Sequence, residues 1–222
     1  MRTIIISDIH GCFEKLNLLL NKLAFRYQDD RIIFLGDLID YGPESYDVIL
    51  MVMDLKLKMQ DRCIIIMGEH EKKLLQNNTW DLFNRNGHKE TVRSFQDHQG
   101  HLTTFISWLE ANALNFYEIS IFQCAHAGIQ KEYLPLNDED TLLNNSNVLK
   151  DNMYDGKLTI IGHHELEEPT YFDGKGNQQE LPYSLWKTLP KKGIICIDTK
   201  GYKRKLTALV IRDSQYLLES VS

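Results

Sequence analysis

The chain has 222 residues, a formal net charge of −6 at pH 7 and a hydrophobic fraction of 43%. Its length suits one domain with a hydrophobic core of its own, so we predict a single domain over residues 1–222. Its acidic balance argues against nonspecific binding to nucleic acid or to an anionic membrane. Because no apolar stretch is long enough to span a bilayer and no signal peptide is evident, we expect a cytoplasmic protein.

In the first third of the chain, three apolar runs predict buried strands, at residues 3–7, 31–35 and 63–67. A loop follows each run, and apolar residues at helical spacing follow each loop. We therefore expect helices over residues 13–25, from Pro43 onward, and after Gly68 through residue 76. Repeated strand–loop–helix units indicate parallel strands joined by right-handed crossovers.

The remainder of the chain is more irregular. Residues 77–101 are polar and predict a helical excursion, with His88, His98 and His101 on its solvated surface, and residues 102–113 predict a further helix. Residues 137–151 predict a surface loop with a short helix. Short strands are expected at residues 116–121, 122–125, 158–161 and 193–197, with a hairpin of residues 206–211 and 216–219. Cys63, Cys124 and Cys196 lie in or beside these runs, which favours buried reduced thiols.

Carboxylates and imidazoles follow the predicted strands at the point where each strand ends. In an open α/β sheet, ligands bind beyond the carboxyl ends of the strands. Mixed oxygen and imidazole ligands suit divalent metals such as Mn, Fe or Zn. The sequence therefore predicts a catalytic metal centre built from the loops after the first three strands, whose candidate residues are Asp8, His10, Asp37, Asp40, Glu69 and His70.

Six segments, taken in order, resemble the motifs of the calcineurin-like metallophosphoesterases. They are Asp8-Ile9-His10, Gly36-Asp37-Leu38-Ile39-Asp40, Gly68-Glu69-His70-Glu71, Ala125-His126-Ala127-Gly128, Gly162-His163 and Ile197-Asp198-Thr199. The match is closest to the phosphoprotein-phosphatase branch of bacteria and phages, which includes diadenosine-tetraphosphate hydrolases, and it covers nearly the whole chain. This resemblance implies an α/β sandwich with two central mixed sheets flanked by helices.

The resemblance also implies roles for individual residues. Two divalent ions are expected, with Mn²⁺ as the first choice and Fe or Zn as alternatives. The implied ligands are Asp8, His10 and Asp37 for the first ion, and the bridging Asp37 with Glu69, His126 and His163 for the second. Metal-activated hydroxide would attack phosphorus, and His70, paired with Asp40, would act as the general acid. Asp198 could support the ligands or cap a turn.

The chain departs from the family pattern at several positions. Glu69 stands where the family has Asn, and Tyr41 stands where the family has Arg. No arginine occurs between Arg93 and Arg204, so the usual guanidinium clamp on phosphate is absent or rebuilt. The remaining candidates for contacts to substrate are His164, Asn86 and Tyr41.

These residues lead to one leading hypothesis and two alternatives. The leading hypothesis is a metal-dependent phosphoric ester hydrolase acting on a phosphoserine or phosphothreonine protein, on a dinucleoside polyphosphate or on a small phosphomonoester. Glu69 and Tyr41 motivate the first alternative, a catalytically weak metal-binding protein that recognises a phosphorylated ligand or regulates a partner. The second alternative is a phosphodiesterase or nuclease, which the acidic composition disfavours.

Overall fold

The computed structural model describes residues 1–76, 88–130, 137–152 and 154–222. Its strands are β1 (Thr3–Ile6), β2 (Arg31–Phe34), β3 (Cys63–Ile66), β4 (Ala113–Leu114), β5 (Phe116–Glu118), β6 (Gln123–Ala125), β7 (Thr159–Ile161), β8 (Thr170–Phe172), β9 (Gln178–Glu180), β10 (Lys187–Thr188), β11 (Ile194–Cys196), β12 (Leu206–Arg212) and β13 (Gln215–Val221). Its helices are α1 (Phe13–Lys22), α2 (Ser45–Met59), α3 (Glu69–Gln76), α4 (His88–Asp97), α5 (Leu102–Asn112), α6 (Glu139–Asn144) and α7 (Val148–Asp151), with a 3₁₀ turn at Gln60–Arg62.

The described strands form two mixed sheets. The first has the order β10-β13-β12-β1-β2-β3-β4, and the second has the order β5-β6-β7-β11-β8-β9. Strands β1 to β4 run parallel to one another, whereas β12 pairs antiparallel with both β1 and β13. In the second sheet, β6, β7 and β11 are parallel and the outer strands are antiparallel. The predicted pair of mixed sheets is confirmed.

Both faces of the first sheet are covered, because successive side chains of a strand point to opposite faces. Ile4 and Ile6 of β1 pack with the buried leucines of α1, while Ile5 packs against the second sheet. Every residue of β1 is buried, which suits its run of β-branched isoleucines. The second sheet is covered on its outer face by Val148 of α7. The layers are therefore helix, sheet, sheet and helix.

The structure also corrects several sequence-based expectations. Helix α1 ends at Lys22 rather than at residue 25, and α2 begins at Ser45 rather than at Pro43. The short strands β4, β8, β9 and β10 were not predicted, since two to three residues carry too little periodicity to identify a strand. Among the four cysteines, Cys63, Cys124 and Cys196 are buried free thiols, as predicted. No helix in the described ranges combines the length and hydropathy needed to cross a membrane.

Candidate metal centre

Loops at the carboxyl ends of five strands meet at one edge of the two sheets. They carry Asp8 and His10 after β1, Asp37 and Asp40 after β2, Glu69 and His70 after β3, His126 after β6, and His163 after β7. Parallel strands β1, β2 and β3 bring the first three loops side by side, and packing of the second sheet adds the other two. The topology therefore gathers residues that lie up to 155 positions apart, as in the contact between Asp8 and His163.

The backbone of these loops is tightly folded. The φ angle is positive at five site residues, with values of 49° at His10, 48° at Asp37, 73° at Asp40, 61° at Tyr41 and 60° at His163. Side chains disfavour this left-handed region, and such residues concentrate at functional sites. Close approach of the loops also explains Gly68, because a Cβ atom there would lie 2.2 Å from the backbone nitrogen of Asp37.

Asp37 occupies the middle of the cluster. Its Oδ2 atom lies 3.4 Å from His126 Nε2, 3.8 Å from His10 Nε2 and 4.0 Å from His70 Nε2. Two triplets share this carboxylate, one with His10 and His70 and the other with His126 and His163, and the potential ligand atoms of each lie within 4.8 Å of one another. Asp37 is thus the residue that the two triplets have in common.

The imidazoles present free nitrogens to this centre. His126 Nδ1 hydrogen-bonds to the Leu35 carbonyl at 2.7 Å, and His10 Nδ1 hydrogen-bonds to the Ile39 carbonyl at 2.9 Å. Such contacts fix the orientation of a ligating ring and leave its second nitrogen available. His126 Nε2 is buried and has no hydrogen-bond partner among the described residues. An orphaned buried nitrogen beside carboxylates fits a divalent metal ion.

The electrostatics of the centre also favour a bound cation. Burial opposes ionisation of Asp37, but His126, His70 and His10 outweigh burial and hold the pKa of this carboxyl well below its usual value. Burial likewise opposes a charge on His126, yet Asp37 and Asp8 raise the pKa of that imidazole to about 10. The carboxylates therefore draw positive charge into the centre, which is the charge a bound cation would supply.

Asp8 and Glu69, the other two ligands implied by resemblance, lie beside the triplets. The Asp8 carboxylate accepts the backbone N–H of His163 at 3.1 Å and the Ser7 hydroxyl at 2.5 Å. Glu69 Oε1 lies 3.7 Å from His163 Nδ1, while its other carboxylate oxygen pairs with Lys73. Both carboxylates are within reach of the centre, but each already has a partner in the protein.

Asp40 forms a buried pair with His70, which is also a member of the first triplet. His70 Nδ1 lies 2.6 Å from Asp40 Oδ2, and Thr91 Oγ1 donates to Asp40 Oδ1 at 2.6 Å. Burial opposes a charge on His70, but Asp40 and Asp37 raise the pKa of this imidazole to about 9. With its Nδ1 held by Asp40, His70 directs Nε2 toward the centre, which is the arrangement required of a proton donor there.

The expectation for the polar region after residue 77 was wrong for one of its histidines. His88 does not lie on a solvated surface: it is buried, and its Nδ1 lies 2.7 Å from Asp40 Oδ2. His98 agrees better with the expectation, since its side chain is 44% exposed, although its ring stacks on Tyr46. The sequence pattern could not reveal the burial of His88, because that burial depends on a loop distant in sequence.

Glu71 is a further site residue that sequence reasoning missed. Its buried carboxylate accepts the backbone N–H groups of Asp37 at 2.8 Å, Leu38 at 2.9 Å, and Ile39 and Gly68 at 3.2 Å. One side chain therefore fixes the loop that carries Asp37 against the start of α3. The only sequence signal was its place in the Gly68–Glu71 segment, where it looked like an ordinary residue of a helix N-terminus.

The candidate substrate contacts have different surroundings. Tyr41 is 42% exposed and stacks on Tyr202, with ring centroids 4.6 Å apart. His164 is less available, because its Nε2 lies 2.8 Å from the Ala127 carbonyl and burial lowers the pKa of its imidazole to about 4. Asn86 lies outside the described residues.

The cationic residues near the end of the chain have acidic partners. Lys200 and Arg204 both pair with Glu167, and Lys205 pairs with Glu168 at 2.7 Å. Asp198 is buried and accepts the backbone N–H of Lys200 at 2.9 Å, which is the geometry of a turn cap. No preformed guanidinium clamp on a phosphate is therefore evident among the described residues.

The fold and the site define a class of protein, the two-sheet phosphoesterases with a carboxylate–imidazole centre. A family model described as calcineurin-like phosphoesterase matches residues 1–194. The chain belongs to the calcineurin-like phosphoesterase family, and the family predicted from the six motifs is confirmed.

Individual relatives agree with this family. A symmetrical bis(5'-nucleosyl)-tetraphosphatase of Buchnera aphidicola is 40% identical over 75 residues, which are 34% of this chain and 26% of that protein. A protein of the same name from Serratia proteamaculans is 31% identical over 134 residues, which are 60% of this chain and 45% of that protein. This chain therefore matches less than half the length of these curated relatives. A solved metallophosphoesterase from Sphaerobacter thermophilus shares the fold, with a TM-score of 0.68 and 17% identity over 100% of this chain and 89% of that one.

Proposed function

We propose that this protein is a dinuclear metal-dependent phosphoesterase. The observation that carries the proposal is the position of Asp37, which is shared by two triplets of potential ligands and lies 3.4 to 4.0 Å from the Nε2 atoms of His126, His10 and His70. Membership of a phosphoesterase family supports the same reaction. The residues that would hold the ions are Asp8, His10, Asp37, Glu69, His126 and His163.

Two divalent ions at this centre, with Mn²⁺ as our first choice, would polarise the phosphate and lower the pKa of a bound water. The chain itself supplies orientation and a proton. Asp37, in the middle, fixes the spacing of the two ligand sets. His70 holds a proton at Nε2, where it can pass to the departing oxygen, and Asp40 keeps the ring in that orientation through Nδ1.

For the substrate, we propose a nucleoside polyphosphate in preference to a phosphoprotein. Tyr41 and Tyr202 stack nearly parallel, with an interplanar angle of 15°, and both rings contact the ring of His10. Tyr41 is exposed, Tyr202 is half-buried, and an exposed aromatic ring beside a phosphate centre suits stacking of a base. The Buchnera and Serratia relatives are named as hydrolases of a dinucleoside polyphosphate, which agrees with this choice.

The proposal is tested by measuring metal content and turnover on the same preparation. We expect Mn²⁺-loaded protein to hold two ions per chain and to hydrolyse diadenosine tetraphosphate faster than a phosphoserine peptide or 4-nitrophenyl phosphate. Chelation should abolish turnover, and added Mn²⁺ should restore it. Two bound ions with no turnover on any of the three compounds would contradict hydrolysis and favour the binding or regulatory alternative.

Replacement of Tyr41 tests the contact to the base. We expect Tyr41→Ala to raise KM for diadenosine tetraphosphate about tenfold, since stacking is worth roughly 1–3 kcal/mol per base. KM for glycerol 2-phosphate, which has no ring, should stay the same. Tyr27→Ala is the matched control, because Tyr27 is 43% exposed but has no contact with the centre among the described residues. An equal change for both substrates would argue against stacking.

Replacement of Glu69 tests the departure from the family pattern. We expect Glu69→Asn to weaken Mn²⁺ binding about tenfold while raising turnover at saturating Mn²⁺, because the amide has no charge but can donate to phosphate. Glu69→Gln is the control, since glutamine is neutral like asparagine but keeps the length of the glutamate side chain. Metal titration followed by calorimetry gives the affinity. Unchanged affinity in both variants would show that Glu69 is not a ligand.

A further inference from the structure

We propose that His88 is a positioning residue that holds Asp40 and, through it, the proton-donating ring of His70. The inference rests on the proposed phosphoesterase function, in which His70 is the general acid. It starts from one oxygen atom, Asp40 Oδ2, which lies 2.6 Å from His70 Nδ1 and 2.7 Å from His88 Nδ1. His70 makes a hydrogen bond with this oxygen, whereas His88 Nδ1 approaches it closely without hydrogen-bond alignment and has no hydrogen-bond partner among the described residues. A carboxylate oxygen has two lone pairs, so Asp40 Oδ2 offers one to each imidazole.

Helix α4 reaches both oxygens of the same carboxylate. His88 and Thr91 lie three residues apart, so they share one face of the helix. Thr91 Oγ1 donates to Asp40 Oδ1 at 2.6 Å, and it also accepts the backbone N–H of Asp40 at 3.0 Å. With Thr91 on one oxygen and His88 beside the other, rotation of the Asp40 carboxylate is blocked from both sides.

The surroundings of Asp40 make such support necessary. The side chain of Asp40 is fully buried, and its backbone has a φ angle of 73°, which a residue other than glycine seldom adopts. The loop thus has little intrinsic preference for the observed conformation. Contacts from α4 and from Ser45, whose hydroxyl lies 3.3 Å from the Asp40 N–H, hold it in place.

His88 acts on Asp40 and not on the ions. It belongs to neither triplet of potential metal ligands among the described residues, and its ring centroid lies 6.2 Å from that of His70. Its path to the reaction is therefore indirect. A partner that orients a reactive imidazole through a carboxylate contributes to the rate without contacting substrate.

A leaving-group series distinguishes positioning from a general structural role. Protonation of the departing oxygen matters for phenyl phosphate, a poor leaving group, and little for 2,4-dinitrophenyl phosphate. We expect His88→Ala to lower kcat on phenyl phosphate about tenfold, with little change in KM and little change in kcat on the dinitrophenyl ester. His88→Asn, whose amide nitrogen can take the place of Nδ1, should recover most of the loss. An equal loss on both esters would overturn the proposal.

A double-mutant cycle tests the path through Asp40. If His88 acts through that carboxylate, His88→Ala should have no further effect on kcat for phenyl phosphate in an Asp40→Asn background. Additive losses would overturn the proposal. His88→Gln provides a third variant if His88→Ala fails to fold. The ratio of kcat on phenyl phosphate to kcat on the dinitrophenyl ester can be measured in any variant that folds.

A spectroscopic measurement tests the proposal without measuring turnover. In metal-free protein with ¹⁵N-labelled histidine, the Nδ1 proton of His70 should give a downfield signal from its bond to Asp40. We expect His88→Asn to preserve this signal and His88→Ala to shift or broaden it, whereas an unchanged signal in both would contradict the proposal. Wild-type protein without turnover would contradict the proposed function, while this measurement would still test the contact.

Discussion

His70→Ala should reduce turnover by about 10²–10⁴-fold, the usual contribution of a general acid or base. The imidazole is buried, and Asp40 holds its Nδ1 at 2.6 Å, so no other side chain replaces it as a proton donor to the leaving oxygen. Metal content should remain close to that of the wild type, since the resemblance assigns other residues as ligands. The measurement is kcat on phenyl phosphate together with elemental analysis of the purified variant.

The control for this variant is His98→Ala. His98 is also an imidazole, but its side chain is 44% exposed, and it stacks on Tyr46 and belongs to neither triplet of potential ligands. Its replacement should leave kcat close to that of the wild type, since the described contacts of His98 are with Ser94, Asp47 and Tyr46 rather than with Asp40 or His70. If His70→Ala lowered the metal content, His70 would be a metal ligand rather than only a proton donor. Its place in one of the triplets allows that outcome.

Glu71→Gln should cause the largest loss of stability among the variants considered. Each carboxylate oxygen of Glu71 accepts two backbone N–H groups, and an amide can accept on one side only. Two buried donors would lose their acceptor, at about 1–3 kcal/mol each, so the free energy of unfolding should fall by about 2–6 kcal/mol. Urea denaturation of the metal-free protein measures this change.

The same substitution should weaken metal binding, because the loop that carries Asp37 loses its anchor. Glu110→Gln is the control. It makes the same chemical change at an exposed position on α5. We expect the denaturation midpoint of this control to match that of the wild type. If Glu71→Gln had wild-type stability, the N–H groups would have found other acceptors. Glu71 would then not be needed to hold the loop that carries Asp37.

Much of the architecture was accessible from sequence because its signals are local. The isoleucine-rich runs of β1 and β3 identified buried strands, and the residues directly after them identified the loops of the centre. Resemblance then supplied the two-sheet arrangement. Packing between sheets, which places His126 beside Asp37, could not be read from local patterns, since these residues are brought together only by the tertiary fold.

The supporting residues around the centre were harder to predict. His88 lies in a polar segment and looked like a surface residue, while the structure buries it against Asp40. Tyr202 carried no recognisable signal, because its role as the stacking partner of Tyr41 joins two loops 161 positions apart. Strands β8 and β9 were missed for a different reason: their register is set by pairing with β11 and with each other rather than by a hydrophobic pattern.

The left-handed backbone conformation at the site limits which amino-acid substitutions the rest of the chain can tolerate. Five non-glycine residues hold positive φ angles there, in a region that most side chains disfavour, although aspartate and histidine enter it more readily than other residues. Contacts from the packed layers must therefore hold the loops in this conformation. Mutational tolerance in those layers is correspondingly limited, and a substitution in the core distant from the centre could remove activity by releasing these loops before the domain unfolds.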